Sequence, residues 1–217
     1  MNQGGTESLI TLKQVESWLI EANRILQEKK AYLTELDQAI GDGDHGINLA
    51  RGFQEVAKNL SDQSFPDIGA LLKSAAMTLL SKVGGASGPL YGTAFLKMST
   101  ALKDKAEAAP EEFARALAEA ADGIQMRGKA RVGDKTMLDV WKPVADLAVQ
   151  QGDRLFWEAL LECSRKQMES TRDLEAKKGR AAYLGRRSVG HLDPGAVSAH
   201  YLFVALSNTM TREEAAG

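Results

Sequence analysis

Asp37, Asp42 and Asp44 put three carboxylates into eight consecutive residues of the stretch Leu36-Asp37-Gln38-Ala39-Ile40-Gly41-Asp42-Gly43-Asp44-His45-Gly46-Ile47-Asn48, and His45 follows directly. Anionic side chains held this close repel one another unless something cationic lies between them. Their hard oxygens suit Mg²⁺ or Ca²⁺ better than zinc. An EF-hand loop starting at Asp42 would need a glutamate at its last ligand position, where Phe53 stands, so that reading fails. Magnesium keeps several waters and takes one or two carboxylates together with substrate phosphates, which points to a nucleotide. The alternative is a solvated acidic turn, since Asp–Gly turns are common on surfaces.

Three further glycine clusters lie between helical stretches, at 84/85/88/92, 128/133 and 179/185/190/195. Glycines at helix ends can simply terminate helices. They also let a ligand approach backbone, and helix N-termini present free N–H groups to anions. Gly84-Gly85-Ala86-Ser87-Gly88-Pro89 could form a phosphate nest, with Ser87 as an extra donor. In Gly133-Asp134-Lys135-Thr136-Met137, Asp134 or Thr136 is read as a helix cap, and Met137 could touch a base. The stretch from Lys177 to Gly195 carries Lys177, Lys178, Arg180, Arg186 and Arg187 and no acid before Asp193. It could be a solvated surface, an RNA-facing strip or a lid over phosphates. Tyr183 alone is little aromatic support for single-strand binding.

Two motif matches fail on context. Gly41 to Gly46 satisfies G-x-G-x-x-G, but the preceding residues read as helix rather than strand, and the variable positions are acidic. Gly123 to Ala130 nearly matches a P-loop, but Ala130 replaces the hydroxyl that would hold magnesium. Gly128 could still border a nucleotide. His191 and His200 read as structural histidines, Cys163 as a core residue, and the methionines other than Met137 as core filling.

The elements that must position these loops read as helices. Ala and Leu supply 57 of the 217 residues against 17 for Val and Ile, a balance that favours helix over strand. Thr11 and Gln14 spell a capping box. Val15, Trp18, Leu19, Ala22, Ile25, Leu26 and Leu33 then recur at helical spacing. Further helices are expected over 47–60, 67–81, 89–105, 110–126, 136–150, 153–176 and 195–212, with no convincing strand. The last is apolar nearly all round from Ala196 to Leu206, so it should be central in the fold or face an apolar cavity. No linker interrupts the chain, and the expectation is an all-α single domain spanning 1–217, with its core over roughly 11–210.

Composition narrows the function further. Forty-four per cent hydrophobic and 26% charged residues are ordinary for a globular domain, and a net charge of −2 argues against a dedicated nucleic-acid binder. A single cysteine excludes a disulfide framework and fits a cytoplasmic chain. No apolar run is long enough for a membrane span, and Met1 to Ser8 lacks the features of a signal peptide.

Taken together, LDQAIGDGDHGIN (36–48), VGGASGPLYGT (83–93), RGKARVGDKTMLDVWKP (127–143) and KGRAAYLGRRSVGHLDPGA (178–196) resemble the ADP-binding L subunits of bacterial dihydroxyacetone kinases over nearly the whole chain. The resemblance extends to the nucleotide domain of ATP-dependent dihydroxyacetone kinases. It reaches fatty-acid kinases more loosely, where the acidic loop usually lacks the counterpart of His45. It implies a barrel of eight antiparallel helices with an apolar interior able to take lipid, and with nucleotide bound at one end. By motif match Asp37, Asp42 and Asp44 would hold two Mg²⁺. His45, Gly46, Ile47, Asn48, Ala86, Ser87, Gly128, Met137, Arg180, Asp193, Pro194 and Gly195 would line ADP or ATP. Arg180 would stabilise phosphate charge, and no side chain is assigned as a chemical catalyst. Any general base would come from the partner subunit.

The implied partners are a K subunit that binds dihydroxyacetone and a phosphotransferase-system phosphohistidine protein that rephosphorylates ADP in place. A transcription regulator and a homodimer or hetero-oligomer are further possibilities. Two other readings stay open: an ATP-exchanging L subunit of a related triose or sugar-acid kinase, and a non-catalytic nucleotide-binding regulator.

Overall fold

The structure, a computed structural model, describes residues 9–214, with backbone only for Glu213 and Glu214. The polar stretch 1–8 lies outside the described residues. Among the described residues eight α-helices follow one another: α1 Leu12–Ile40, α2 His45–Asp62, α3 Ile68–Lys82, α4 Ser87–Ala101, α5 Pro110–Gly128, α6 Leu138–Gln151, α7 Trp157–Ser170 and α8 Pro194–Glu214. The capping box is formed: Thr11 Oγ1 accepts the Gln14 amide at 3.2 Å and Gln14 Oε1 accepts the Thr11 amide at 2.7 Å. Each helix packs on the next in sequence, and α8 packs back on α1, which closes the ring. Sequence neighbours packed side by side all the way round make this an up-and-down barrel.

Within a mainly aliphatic interior, aromatic side chains link the helices. Trp18 of α1 meets Phe95 of α4 edge-on at 5.7 Å between centroids and Phe113 of α5 at 6.2 Å. Phe53 of α2 meets Phe95 and Tyr91 at 6.4 Å each. Trp141 of α6 packs on Phe203 of α8 at 5.0 Å. Edge-to-face contacts of this kind add to the area term of burial. The Trp18 indole N–H donates to Leu202 O at 2.9 Å, pinning α1 to α8 at the seam where the ring closes. Most of the apolar stretch of α8 is buried, as its composition demanded; only Tyr201, Val204 and the polar His200 reach partial exposure.

Four expectations need correction. Ile10–Thr11 (β1) and Glu107–Ala108 (β2) form a two-residue antiparallel ladder, too short to leave an alternating pattern in sequence. The helix expected over 89–105 stops at Ala101, and Asp104 turns left-handed at φ 60°. The helix expected over 153–176 occupies only 157–170, because the carbonyls from Thr171 onward turn toward Lys135. Met77 and Met126 are exposed at 54% and 65% rather than core. Cys163 is half-buried against the core, and His200 Nδ1 lies 2.8 Å from Ser164 Oγ, both in structural roles.

Candidate functional site

In an up-and-down ring every second helix starts at the same end. The N-termini of α2, α4, α6 and α8 therefore meet, each led in by one of the glycine-containing loops. They border a cleft of about 760 Å³. The first-turn amides of such helices have no intrahelical acceptor, and their dipoles add with the same sign, so this end of the barrel attracts anions.

The acidic turn bridges the end of α1 and the start of α2. The Gly41 amide donates to Asp37 O at 2.5 Å and closes α1. Gly43 turns left-handed at φ 77°, a conformation glycine adopts without strain. Buried Asp37 accepts the amides of Asp44 (2.9 Å) and His45 (3.1 Å) at Oδ2, so one carboxylate oxygen anchors the start of α2 and Oδ1 is left over. One ligand oxygen from each of Asp37, Asp42 and Asp44 lies within 4.8 Å of the others. A methyl group at Gly41 would overlap Asp37 Oδ1, so glycine is what leaves that oxygen room. The all-oxygen donor set, the spare Oδ1 and the clearance at Gly41 fit magnesium. Across the cleft mouth Arg180 Nε pairs with Asp42 Oδ2 at 2.7 Å while its side chain stays 69% exposed.

His45 is buried between two hydroxyls. Nδ1 lies 2.9 Å from Ser87 Oγ and Nε2 lies 3.0 Å from Ser198 Oγ. Ser198 donates to Gly195 O at 2.9 Å and meets Tyr91 Oη at 2.7 Å. With its only proton spent on Gly195, Ser198 must accept from both Tyr91 and His45. His45 then carries its proton on Nε2, and Nδ1 accepts from Ser87. Burial pushes His45 down to about 4, which keeps the ring neutral, and pushes the Tyr91 phenol up. His45 thus positions Ser87 and presents no charge to the cleft.

On the opposite wall Asp193 Oδ2 accepts the Ala196 amide at 2.7 Å and caps α8. Burial raises Asp193 to about 7, opposed by that amide and by Lys135. The N-cap of α6 is Met137, which makes no side-chain cap, so the cap expected of Asp134 or Thr136 is not formed; Thr136 Oγ1 accepts the Leu138 amide at 3.2 Å from one residue further out. Asp134 instead accepts the Arg131 amide, and Asp139 gathers the amides of Gly133 (2.5 Å) and Thr136 (2.7 Å).

Among the expected site residues Asp37, Asp42, Asp44, His45, Ala86, Ser87, Gly128, Met137, Arg180, Asp193, Pro194 and Gly195 all border the cleft. Gly46, Ile47 and Asn48 do not. Gly46 packs against the α1 backbone at Lys30, the Ile47 side chain is 51% exposed, and Asn48 Oδ1 accepts from Arg51 at 2.9 Å. Of the five basic residues in the 177–195 stretch, only Lys178 and Arg180 border the cleft. Sequence reasoning missed Ile40, Leu90 and Ile124, which with Met137 form an apolar wall suited to a base. It also missed Arg127 and Lys135. The apolar residues sit at helix spacing and are indistinguishable from core in the sequence.

The DAK2 domain family model matches residues 39–208. The chain belongs to the DAK2 domain family. Among its DAK2 relatives is a PEP-dependent dihydroxyacetone kinase 1 ADP-binding subunit DhaL from Listeria innocua, 48% identical over 192 residues, or 88% of this chain and 93% of that one. A PTS-dependent dihydroxyacetone kinase ADP-binding subunit DhaL from Lactococcus lactis is 46% identical over 198 residues, or 91% of this chain and 97% of that one. The fold matches the dihydroxyacetone kinase from C. freundii solved in complex with AMP-PNP and Mg²⁺. The TM-score there is 0.70 and the identity 24%, over 96% of this chain and 36% of that one. Among the described residues of this DAK2 domain, no helix is long and apolar enough to cross a membrane.

Proposed function

We propose that this DAK2 domain is the ADP-binding subunit of a dihydroxyacetone kinase. It carries a phosphoryl group, on a nucleotide it retains, from a phosphotransferase-system phosphohistidine protein to dihydroxyacetone held on a separate K subunit. The observation that carries the reading is the three-carboxylate cluster, with Arg180 beside it, on the end of the barrel where four helix N-termini meet. Asp37, Asp42 and Asp44 would hold two Mg²⁺. The bound metal would neutralise diphosphate charge, the main requirement of phosphoryl transfer.

The chain's own residues then position rather than react. First-turn amides take phosphate oxygens, while Ser87, whose one proton goes to neutral His45, turns acceptor lone pairs to the cleft. Arg180 sits where charge develops at the mouth, and Ile40, Leu90, Ile124 and Met137 offer the base an apolar seat. No side chain at the mouth is placed as a general base, so proton removal from the acceptor falls to the K subunit. The chain acts as one domain in the cytoplasm, in a hetero-oligomer with its partners or as a homodimer, and a transcription regulator is a further partner.

The test is retention followed by transfer. The chain is loaded with Mg²⁺ and ADP, desalted, and given phosphoenolpyruvate with phosphotransferase-system carriers. The expected result is retained ADP converted to ATP on the protein, then phosphorylated dihydroxyacetone once the K subunit is added. Rapid exchange of the bound nucleotide with free ATP would favour an ATP-exchanging kinase subunit. No nucleotide binding at all would favour a regulator.

A further inference from the structure

Lys135 is 1% exposed and, among the described residues, forms no ion pair with a carboxylate. Its ammonium lies within hydrogen-bond distance of four backbone carbonyls: Thr171 O at 2.8 Å, Leu174 O at 3.0 Å, Ser188 O at 2.8 Å and His191 O at 2.5 Å. Three N–H groups facing four acceptors must share at least one proton, so the head group fills a carbonyl cage in the manner of a monovalent cation. Every carbonyl comes from the segment 171–193, which links α7 to α8 and carries Lys178, Arg180 and Asp193 to the cleft.

The segment has two apolar anchors besides the cage: Leu192, buried in the main core, and a small cluster of Ala176 and Ala181 against Ile40, with Leu184 packed beside it. Its other ties are polar: the Arg180–Asp42 pair (2.7 Å), the Lys177 amide to Asp134 O (3.1 Å), the Ala176 amide to Ser188 Oγ (2.9 Å), the Gly190 amide to Arg172 O (2.8 Å) and the Asp193 amide to Thr171 Oγ1 (3.1 Å). Lys135 reaches the cage from a left-handed backbone at φ 62°, a conformation that costs a non-glycine residue energy and persists where its surroundings over-determine it. From there the side chain runs into the segment, where its ammonium is buried. Polar groups so buried are costly to leave unpaired, on the ammonium side and on the carbonyl side alike.

We propose that Lys135 is a positioning residue: an internal cation that folds the 171–193 segment around itself and thereby sets Arg180 and the Asp193 turn at the cleft. This deepens the nucleotide reading, since the segment is then the wall that retains the nucleotide. Its own test needs no nucleotide.

Trypsin is added to the ligand-free full chain and to K135M and K135A, and early cuts at Lys177, Lys178, Arg180, Arg186 and Arg187 are followed by mass spectrometry. K135M keeps most of the stem without the charge. Its cutting rate should rise at least about tenfold, because cleavage tracks the opened population when opening is fast. Near-UV circular dichroism should stay unchanged, as Trp18 and Trp141 lie in the barrel core. K135A lacks the atoms of n-propylammonium. That ion should slow its cutting back toward wild type, whereas n-propanol, uncharged and of similar shape, should not. Wild-type cutting rates in K135M, or faster cutting in K135A that the amine leaves unaltered, would overturn the proposal. So would failure of both variants to form helix, which would make the lysine a requirement of the barrel. In a parallel arm, K135M should release Mg²⁺–ADP at least about tenfold faster than wild type by the same opening argument. If wild type itself binds no Mg²⁺–ADP, the nucleotide reading falls and the tether is judged on digestion alone.

Discussion

Asp44→Asn separates the stability of the acidic turn from its use. The Asp44 side chain makes no capping hydrogen bond; only its backbone is engaged, through its amide to Asp37 and its carbonyl from the Asn48 amide. Asparagine is nearly isosteric, so the change removes one charge and little else. Its ligand oxygen lies within 4.8 Å of those of Asp37 and Asp42. Two unit charges at that spacing repel by about 1 kcal/mol in a water-like medium and roughly 3–4 kcal/mol at an effective dielectric near 20. The cluster opens to the cleft, so screening favours the lower figure. Asp44 also sits at the N-cap of α2, where the helix dipole returns about 0.3–1 kcal/mol. Relief from two neighbours against that loss leaves the metal-free variant more stable by about 1 kcal/mol, a rise of roughly 2–4 °C in Tm for a chain of this size.

With Mg²⁺ and ADP the order reverses. Wild type gains stability by mass action, about 2.7 kcal/mol at a hundredfold excess over Kd, and the variant gains little. Differential scanning calorimetry in EDTA and in Mg²⁺–ADP reads both effects. A variant that melts below wild type in EDTA would show that the three carboxylates do not strain one another. A full Mg²⁺–ADP shift in the variant would show that Asp44 is no ligand.

Other outcomes follow from the same geometry. Gly41→Ala places a methyl on Asp37 Oδ1, so Mg²⁺-dependent ADP retention after desalting should fall at least about tenfold while far-UV circular dichroism is unchanged. Ser198→Ala strips the acceptor from His45 Nε2 and Tyr91 Oη, which should cost about 1–3 kcal/mol by urea denaturation. In wild type, ¹⁵N NMR should report His45 as the neutral Nε2–H tautomer at pH 6. Asp193, raised to about 7, binds a proton in the folded chain between its unfolded value near 4 and pH 7, so its contribution to stability is lost as pH rises through that window. Asp193→Asn removes this dependence while asparagine still caps α8. The stability of the variant relative to wild type should therefore grow from pH 5 to 8, by up to about 1.4 kcal/mol per unit. A constant difference in denaturation midpoints would refute the raised carboxyl.

Much of this protein was set by local sequence. The Thr11–Gln14 box, Pro110 at the first turn of α5 and the apolar spacing of Trp18, Phe53 and Phe113 are short-range codes, legible because helix geometry repeats every few residues. The acidic turn was legible for the same reason: Asp37, Asp42 and Asp44 are near in space because they are near in the chain. What only the tertiary structure decided is where distant segments meet. Closing an even number of helices into a ring gathers the starts of α2, α4, α6 and α8 at one end, which turns four separate glycine-bearing loops into one cleft. Packing also chose which face of a periodic apolar helix became wall, so Leu90 and Ile124 border the cleft while Ile47 and Asn48, close to the aspartates in sequence, turn away. Lys135 shows the limit most clearly. Its acceptors are carbonyls, which every residue possesses, 36 to 56 positions further along the chain. A charge satisfied by backbone leaves no complementary residue type in the sequence, and only the folded chain brings its partners together.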